Sequence, residues 1–487
     1  MSESLKKIRL DKLNALRESG TDPYPARVPA CELIGPINER FAKLENEEHS
    51  GYLATVCGRL MAHRGMGKAS FLDVLDGTGM IQAYAALDKL GEAYALLTHI
   101  DVGDFVSVSG EIFRTKRGQL SIAAAEFVLL SKSIRPLPEK WHGLKDVEIR
   151  HRHRALDLIS NEDVRDTFVL RSRILSSIRR MLDGAGFLEV ETPVLLSIAS
   201  GGHARPFGTH HNALDTDLYL RIALELYLKR VMIGGIDRVY EMGKCFRNEG
   251  TSTEHNPEFT MLEIYQAYTD VEGMMALAES IITTSLQETK GTLSVQFNDN
   301  EIDFSPPWPR IKMADAVASA LNVDPSVLRT EQAIRMAEEN GIVPVPVTPG
   351  EAVNSLFERL VEDTLVQPTF ITDYPIEISP LAKRSPKDES IVERFELFAA
   401  GMELANAFSE LNDPIDQRAR FDAQERLREG GDEEAQQLDE DFLFALEHGM
   451  PPAGGMGMGV DRLVMLITGC TSIRDVILFP TLRRKEE

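Results

Sequence analysis

Cysteine is scarce in this chain of 487 residues: there are four, Cys31, Cys57, Cys245 and Cys470, far apart and without a Cys-x-x-Cys pair. That argues against a zinc ribbon or a disulfide framework and fits a reducing compartment. Long apolar runs are missing too. Nothing approaches the roughly eighteen consecutive apolar residues of a membrane span. The N-terminal MSESLKKIRLDKLNALRESG is charged throughout and lacks the apolar segment of a secretory signal. A cytoplasmic protein with no membrane partner is expected. Neither a Walker-type phosphate loop nor a dinucleotide GxGxxG after a first strand is present, so the commoner nucleotide folds are not indicated. Positive charge is short, with 53 Lys and Arg against 76 Asp and Glu and a formal net charge of -23. This balance argues against wholesale non-specific binding to nucleic acid, but not against a local basic face.

What is present is an ordinary globular composition, 43% hydrophobic and 26% charged, on a chain too long for one core, so two or more domains are expected. Residues 1–50 read as an N-terminal helical extension, with Leu5, Ile8, Leu10, Leu13 and Leu16 at helical spacing among Lys and Arg. A helix packed on its own domain and an RNA-contacting arm both fit. Residues 51–135 break into about five short alternating segments with turn signals at Asp76-Gly77, Gly103 and Arg117-Gly118, which predicts a five-stranded OB-type β-barrel. Arg64, Lys68, Phe71 and Gln82 are placed for oligonucleotide contact, and Arg114, Lys116 and Arg117 form a basic hairpin tip. On pattern alone a structural or protein-binding barrel fits equally.

Residues 136–150 read as a linker containing Pro136 and Pro138. The run Arg150 to Arg154 follows, for which a structural role is favoured over a phosphate contact or an interdomain hub. From 151 to 487 helix and strand signals mix, beginning with an amphipathic helix over 164–185; the acidic stretch Gly430 to Glu447 reads as a solvated helix. The class is α+β and multidomain.

The chain is organised around KCFRNEGTSTEHNPEFTMLEIYQAYTD, residues 244–270. Its second half alternates as a strand, with Phe259, Met261, Glu263 and Tyr265 on one face. An inward carboxylate among apolar neighbours is costly unless a cation meets it. Arg247, in the polar loop, is suited to gripping a phosphate, and Arg462 follows the turn Gly455-x-Gly457-x-Gly459, which permits close backbone approach to a ligand. Tight packing explains such glycines as well. Glu396 and Glu403, across a strand–turn–strand or a helix pair, are magnesium ligands or ordinary surface glutamates, and Asn406, Phe408 and Glu410 alternate on one strand face.

These residues carry a resemblance. Phe246-Arg247-Asn248-Glu249 with His255-Asn256-Pro257-Glu258-Phe259 resembles the second signature motif of class II aminoacyl-tRNA synthetases. Gly457 to Arg462 resembles the third, and Phe187 to Pro193 the first. More narrowly, runs such as TMLEIYQAY, GMELANAFSELNDP and PTFITDYPIEISPLAK are similar to the bacterial lysyl-tRNA synthetase family over nearly the whole chain. The resemblance implies a catalytic domain over 151–487, built on an antiparallel sheet flanked by helices. It implies a reaction that joins lysine to ATP as lysyl-adenylate and then to tRNA(Lys), with Mg2+ as cofactor and a homodimer interface near residues 165–195.

By the same resemblance, Arg247 and Arg462 hold the α- and γ-phosphates and are the catalytic pair. Glu249, His255, Asn256, Phe259 and Glu403 contribute to ATP binding, and Glu396 and Glu403 hold the metal. The amino acid is implied to meet Gly201, Glu225, Glu263, Tyr265, Asn406, Phe408 and Glu410; three carboxylates around one slot suit an ammonium with three donors. Arg64, Phe71, Gln82 and Glu126 are implied to read the anticodon, which raises the barrel to an RNA module. The chain departs from the family pattern at three places. The glycine pair near His203 is shifted by one, Leu224 stands where proline usually precedes the pocket glutamate, and His151 and Ala155 replace tyrosines. Two other readings, a paralogue acting on a protein lysine and a non-catalytic RNA-binding paralogue, fit less well, since the barrel and the arginines and glutamates named above are all present.

Overall fold

The computed structural model describes residues 2–138, 145–198, 201, 202, 204–430 and 437–483. Six of the linker residues, Ser200, His203, the first part of the acidic stretch and the last four residues lie outside them. The chain forms two compact units, Met1–Lys145 and Asp146–Glu487.

In the first unit five strands close into a barrel: β1 (His49–Met66), β2 (Ala69–Leu75), β3 (Met80–Ala86), β4 (Phe105–Arg114) and β5 (Leu120–Ser131), paired in the order β1-β2-β3-β5-β4. Alternation drives closure: along β2, Ser70, Leu72 and Val74 point into the core while Ala69, Phe71, Asp73 and Leu75 face out. Helix α1 (Ser2–Glu18) joins this unit by burying Leu16 in the barrel core. Its Arg9 reaches the backbone carbonyls of Val102, Ser133 and Arg135, so this basic residue serves packing. Arg114 is likewise spent on Gly118, Phe41 and Ala42 carbonyls rather than offered at the hairpin tip.

The second unit is built on an eight-stranded sheet. Its strands are β6 (Leu188–Glu189), β7 (Arg238–Phe246), β8 (Glu258–Ala267), β9 (Arg310–Lys312), β10 (Thr369–Pro375), β11 (Ile391–Ala399), β12 (Met402–Ser409) and β13 (Ala453–Gly459). They lie in the order β9-β10-β11-β12-β13-β8-β7-β6, antiparallel except for the two short edge strands. One face packs on helices α2 (Glu162–Gly184), α4 (Val271–Lys290) and α6 (Val460–Thr468), with α3 (Glu225–Ile233) on the opposite side. The period of two sorts each strand: Leu262 and Ile264, Phe395 and Leu397, Ala405 and Ala407, and Met456 and Met458 enter the helical layer. Their alternates face the other way and build the site.

Glu396 and Glu403 sit on a hairpin, β11 and β12, whose turn residues Ala400 and Gly401 both have positive φ (56° and 72°), as a two-residue hairpin loop requires. The Arg–His run at 150–154 fastens the C-terminal segment within this unit. Arg154 is buried, pairs with Asp157 at 2.7 Å and donates to the carbonyls of Arg474, Ile477 and Leu478, while His151 meets Asp475 at 2.9 Å. The acidic stretch is only partly surface. Helix α5 (Glu440–Leu446) buries Phe442, Leu443 and Leu446 beside α3, which corrects the reading of this region as a solvated helix.

Candidate active site

A cavity of about 540 Å³ opens on the sheet face away from the helical layer. It is lined by Gly201, Glu225, Arg247, Glu249, His255, Asn256, Phe259, Glu263, Tyr265, Glu396, Glu403, Asn406, Phe408 and Arg462, which the sequence had scattered over more than 250 positions. Register explains the gathering. Met261, Glu263 and Tyr265 on β8 stand opposite Gly459, Gly457 and Gly455 on β13, and Asn406 and Phe408 on β12 stand opposite Gly457 and Gly455. Phe259 and Tyr265 are six residues apart, so the floor extends about 20 Å along the strand and has two ends.

At the Tyr265 end three carboxylates are buried: Glu225 at 9%, Glu263 at 4% and Glu410 at 2% exposure. Glu263 accepts the backbone N–H of Leu224 at 2.9 Å on one oxygen and the Tyr265 hydroxyl at 3.0 Å on the other. Proline at position 224 would have no such N–H to give. Glu410 lies behind the cavity wall rather than on it, where Lys229 takes it at 2.5 Å and takes Glu225 at 2.5 Å as well. Gly455 is part of the sheet here, not of a phosphate-binding turn. A Cβ on it would come within 1.9 Å of a Glu410 oxygen and 2.5 Å of the Tyr265 ring, so glycine keeps the slot open.

Charge in this slot is out of balance. Burial pushes the Glu263 carboxyl up to about 7, repulsion from Glu225 adding to the shift. Burial pushes Glu410 up to about 8 in spite of Lys229, with Glu225 and Glu263 adding to the rise. Burial works against the Lys229 charge, yet attraction to Glu225 and Glu410 outweighs it and holds its pKa above the ordinary lysine value. Burial dominates the rise of both acids, with the neighbouring carboxylates adding to it, while the two carboxylates beside Lys229 raise its pKa.

The Phe259 end carries the guanidinium groups of Arg247 and Arg462 and is more open. Arg247 lies over the Phe259 ring, 5.2 Å from its centroid, and its buried Nε has no hydrogen-bond partner among the described residues. Arg462 donates to the Glu403 carbonyl at 2.8 Å and approaches the Glu403 carboxylate at 3.4 Å and His255 Nε2 at 3.3 Å. Burial, then the Arg462 charge, lowers the His255 pKa and keeps the ring neutral. Glu249 is exposed at the rim. Asn256 lines the cavity, but its amide is spent on the Glu258 carbonyl at 2.6 Å and the Thr481 N–H at 3.2 Å.

The family described as tRNA synthetases class II (D, K and N) matches residues 146–483, and an OB-fold nucleic acid binding domain matches residues 54–130. The chain belongs to the class II tRNA synthetases. It is 54% identical to the lysine–tRNA ligase of Moorella thermoacetica, over 99% of this chain and 98% of that protein. It is 51% identical to that of Pelotomaculum thermopropionicum (99% and 95%) and 50% to that of Bacillus subtilis (98% and 97%).

Around this synthetase site stand residues that sequence reasoning passed over. Lys229 is one, although Glu225 four residues before it on α3 was a visible signal. Arg394 is another: it binds Asn406 at 3.0 Å and Glu396 at 2.6 Å, and it sits two residues before Glu396 on the same strand face. Tyr374 donates to Glu396 at 2.8 Å. Burial raises Glu396 to about 7, with repulsion from Glu403 next, and raises Glu362 to about 7, with Glu403, Glu358 and Glu396 adding.

A divalent cation suits this hard-oxygen donor set. No three His, Cys, Asp or Glu side chains among the described residues make a ready metal cage, so phosphate and water oxygens would complete the shell, as is usual for Mg2+.

In the OB barrel, Arg64 is opposite Phe71, Phe71 opposite Tyr84, and Gln82 opposite both Asp73 and Ser121. Arg64 pairs bidentately with Asp73 at 2.7 and 2.8 Å, and Gln82 accepts from Ser121 at 3.2 Å. Phe71 stands 5.2 Å from Tyr84, whose ring meets Phe113 at 6.4 Å, an outward aromatic row of which only Phe71 was anticipated. Glu126 is exposed, opposite Ser109 and beyond a bulge in β5. No helix of either unit is long and apolar enough to cross a membrane among the described residues.

Proposed function

We propose that the cavity activates L-lysine with ATP and passes it to the terminal ribose of tRNA(Lys). The observation that carries this reading is one continuous floor with three buried carboxylates at one end and, at the other, Arg247, whose buried Nε has no partner among the described residues. Glu225 and Glu263 meet the ammonium groups of the amino acid with the charge of Glu410 behind them, and Tyr265 and Phe408 wall its aliphatic stem; Asn406 and Gly201 complete the slot. A neutral side chain would leave buried carboxylates unpaired, and an acidic one would be repelled. ATP lies at the other end, its base on Phe259 with Glu249 at the adenine amino group. Arg247 holds the α-phosphate, and Arg462, backed by His255, holds the γ-phosphate; Asn256 shapes the loop around them.

The carboxylate of lysine attacks the α-phosphorus in line, the bond to the β-phosphate oxygen breaks, and pyrophosphate leaves with its electron pair. The ribose hydroxyl of tRNA then attacks the acyl carbon, its proton is released, and AMP leaves. No covalent enzyme intermediate is involved. Arg247 contributes charge aimed at the developing negative phosphorane oxygens, and the slot contributes alignment. Mg2+ held by Glu396 and Glu403 would neutralise phosphate charge.

Phe71, Arg64, Gln82 and Glu126 form the surface for the anticodon, where bases stack on the aromatic row. Two copies of the chain associate through the region 165–195, consistent with the exposed apolar side chains Val169, Leu188, Val194 and Leu195. An amino-acid panel in ATP–pyrophosphate exchange tests the reading. Lysine alone should support exchange by a dimer in sedimentation; exchange driven by another amino acid removes the assignment, and a fully active monomer removes the dimer.

A further inference from the structure

Lys229 has no role in the reaction as described, yet it is the most completely buried cation of the site. It projects from α3 with its ammonium at 0% exposure, 2.5 Å from Glu225 and 2.5 Å from Glu410. The rings of Phe408, Tyr265 and Phe442 surround it at 5.3, 6.0 and 6.0 Å. These partners include four of the residues assigned to the substrate, so the chain keeps a lysine of its own against the slot that is to receive one. Placing a cation there is unfavourable for a pocket whose only task is to attract cations. The placement becomes intelligible when charges are counted. With the α-carboxylate of lysine turned toward the ATP end, three ionised carboxylates against its two ammonium groups leave one negative charge buried and unmatched.

We infer that Lys229 is a specificity-determining positioning residue, whose fixed ammonium cancels one of the three slot carboxylates and leaves a net charge of minus two, matched to the two ammonium groups of lysine. The inference rests on the lysine-activating reading of the cavity. Lys229 touches no substrate atom and acts through Glu225 and Glu410, bridging the two and fixing their separation. Burial and the neighbouring carboxylates raise the pKa values of Glu263 and Glu410, and an ammonium arriving beside them would lower both.

A double-mutant cycle in lysine-dependent pyrophosphate exchange tests this, with K229M, E225Q and K229M/E225Q measured against the unmodified chain. In K229M the slot has one carboxylate too many, and KM for lysine should rise about tenfold or more while kcat changes much less. E225Q alone leaves a net charge of minus one and should also raise KM. The double variant returns to minus two, so its KM should fall below that of E225Q, and the two losses should not multiply.

A role for Lys229 in packing alone predicts the opposite, with E225Q costing the same factor in both backgrounds. That result, or an unchanged KM in K229M, overturns the inference. If K229M does not fold, E225Q and the double variant suffice, because the double removes the pair together. A KM higher in the double than in E225Q overturns the inference then. The amino-acid panel on the unmodified chain keeps the two readings apart. Failure of lysine to support exchange there removes the ligase reading, whereas lysine-driven exchange with multiplicative losses removes only the role of Lys229.

Discussion

The two ends of the cavity handle charge in opposite ways. At the Tyr265 end the carboxylates are sunk in apolar packing, and a cation from the protein answers part of their charge. At the Phe259 end the guanidinium of Arg247 is left without a carboxylate partner among the described residues, while Arg462 is only loosely met by Glu403. A buried slot rejects wrong charges because each mismatch leaves a group unpaired. On the proposed reading, selection among amino acids resides in this first end, and acceleration in the second.

Breaking the second end should have the largest effect. Arg247→Ala is expected to lower pyrophosphate exchange by about 10²–10³-fold, the usual cost of removing a preorganised donor to developing charge. Lysine binding by calorimetry should barely change; an unchanged exchange rate would contradict the role given to Arg247.

The first end should respond to pH instead. Burial pushes the Glu263 and Glu410 carboxyls up to about 7 and about 8, and an arriving ammonium would lower both pKa values. Groups whose pKa is depressed on binding give affinity that is fully present above the free values and is lost as pH falls through them. The groups that face them are Glu225, Lys229 and Tyr265; the pKa values of Lys229 and Tyr265 are both raised above their ordinary values, so neither titrates in this range. KM for lysine should accordingly be flat above about pH 8 and rise below it, by up to about tenfold per unit for each proton displaced. A KM that is level from pH 6 to 8 would sink this account.

The barrel supplies the control on both. Phe71→Ala should weaken tRNA charging through KM for tRNA by about tenfold, the worth of one stacked base. Exchange without tRNA should not respond, and a change in it would place Phe71 in the wrong function.

Much of this was legible in the sequence because period-two alternation is a strong signal: it placed Glu263 and Tyr265 on one face of a strand and closed the barrel correctly. The placements that failed were those depending on what a side chain touches rather than on where its backbone runs. Gly455 was read in a phosphate turn because glycine spacing does not distinguish a loop from a central strand crowded by Glu410. Glu410 was expected in the slot wall, and only tertiary packing pairs it with Lys229 behind that wall. The acidic stretch hid the core residues Phe442 and Leu446 among its charges, since composition averages over a helix that is apolar on one side. Arg114 counted as free basic charge until its carbonyl partners were known.

The hydrogen bond from Leu224 to Glu263 limits which residues position 224 can accept. Position 224 supplies an amide that holds a buried carboxylate from the main chain. Positions 224 and 263 are thereby tied together. Proline at 224 would strip a donor from an acid that burial already disfavours.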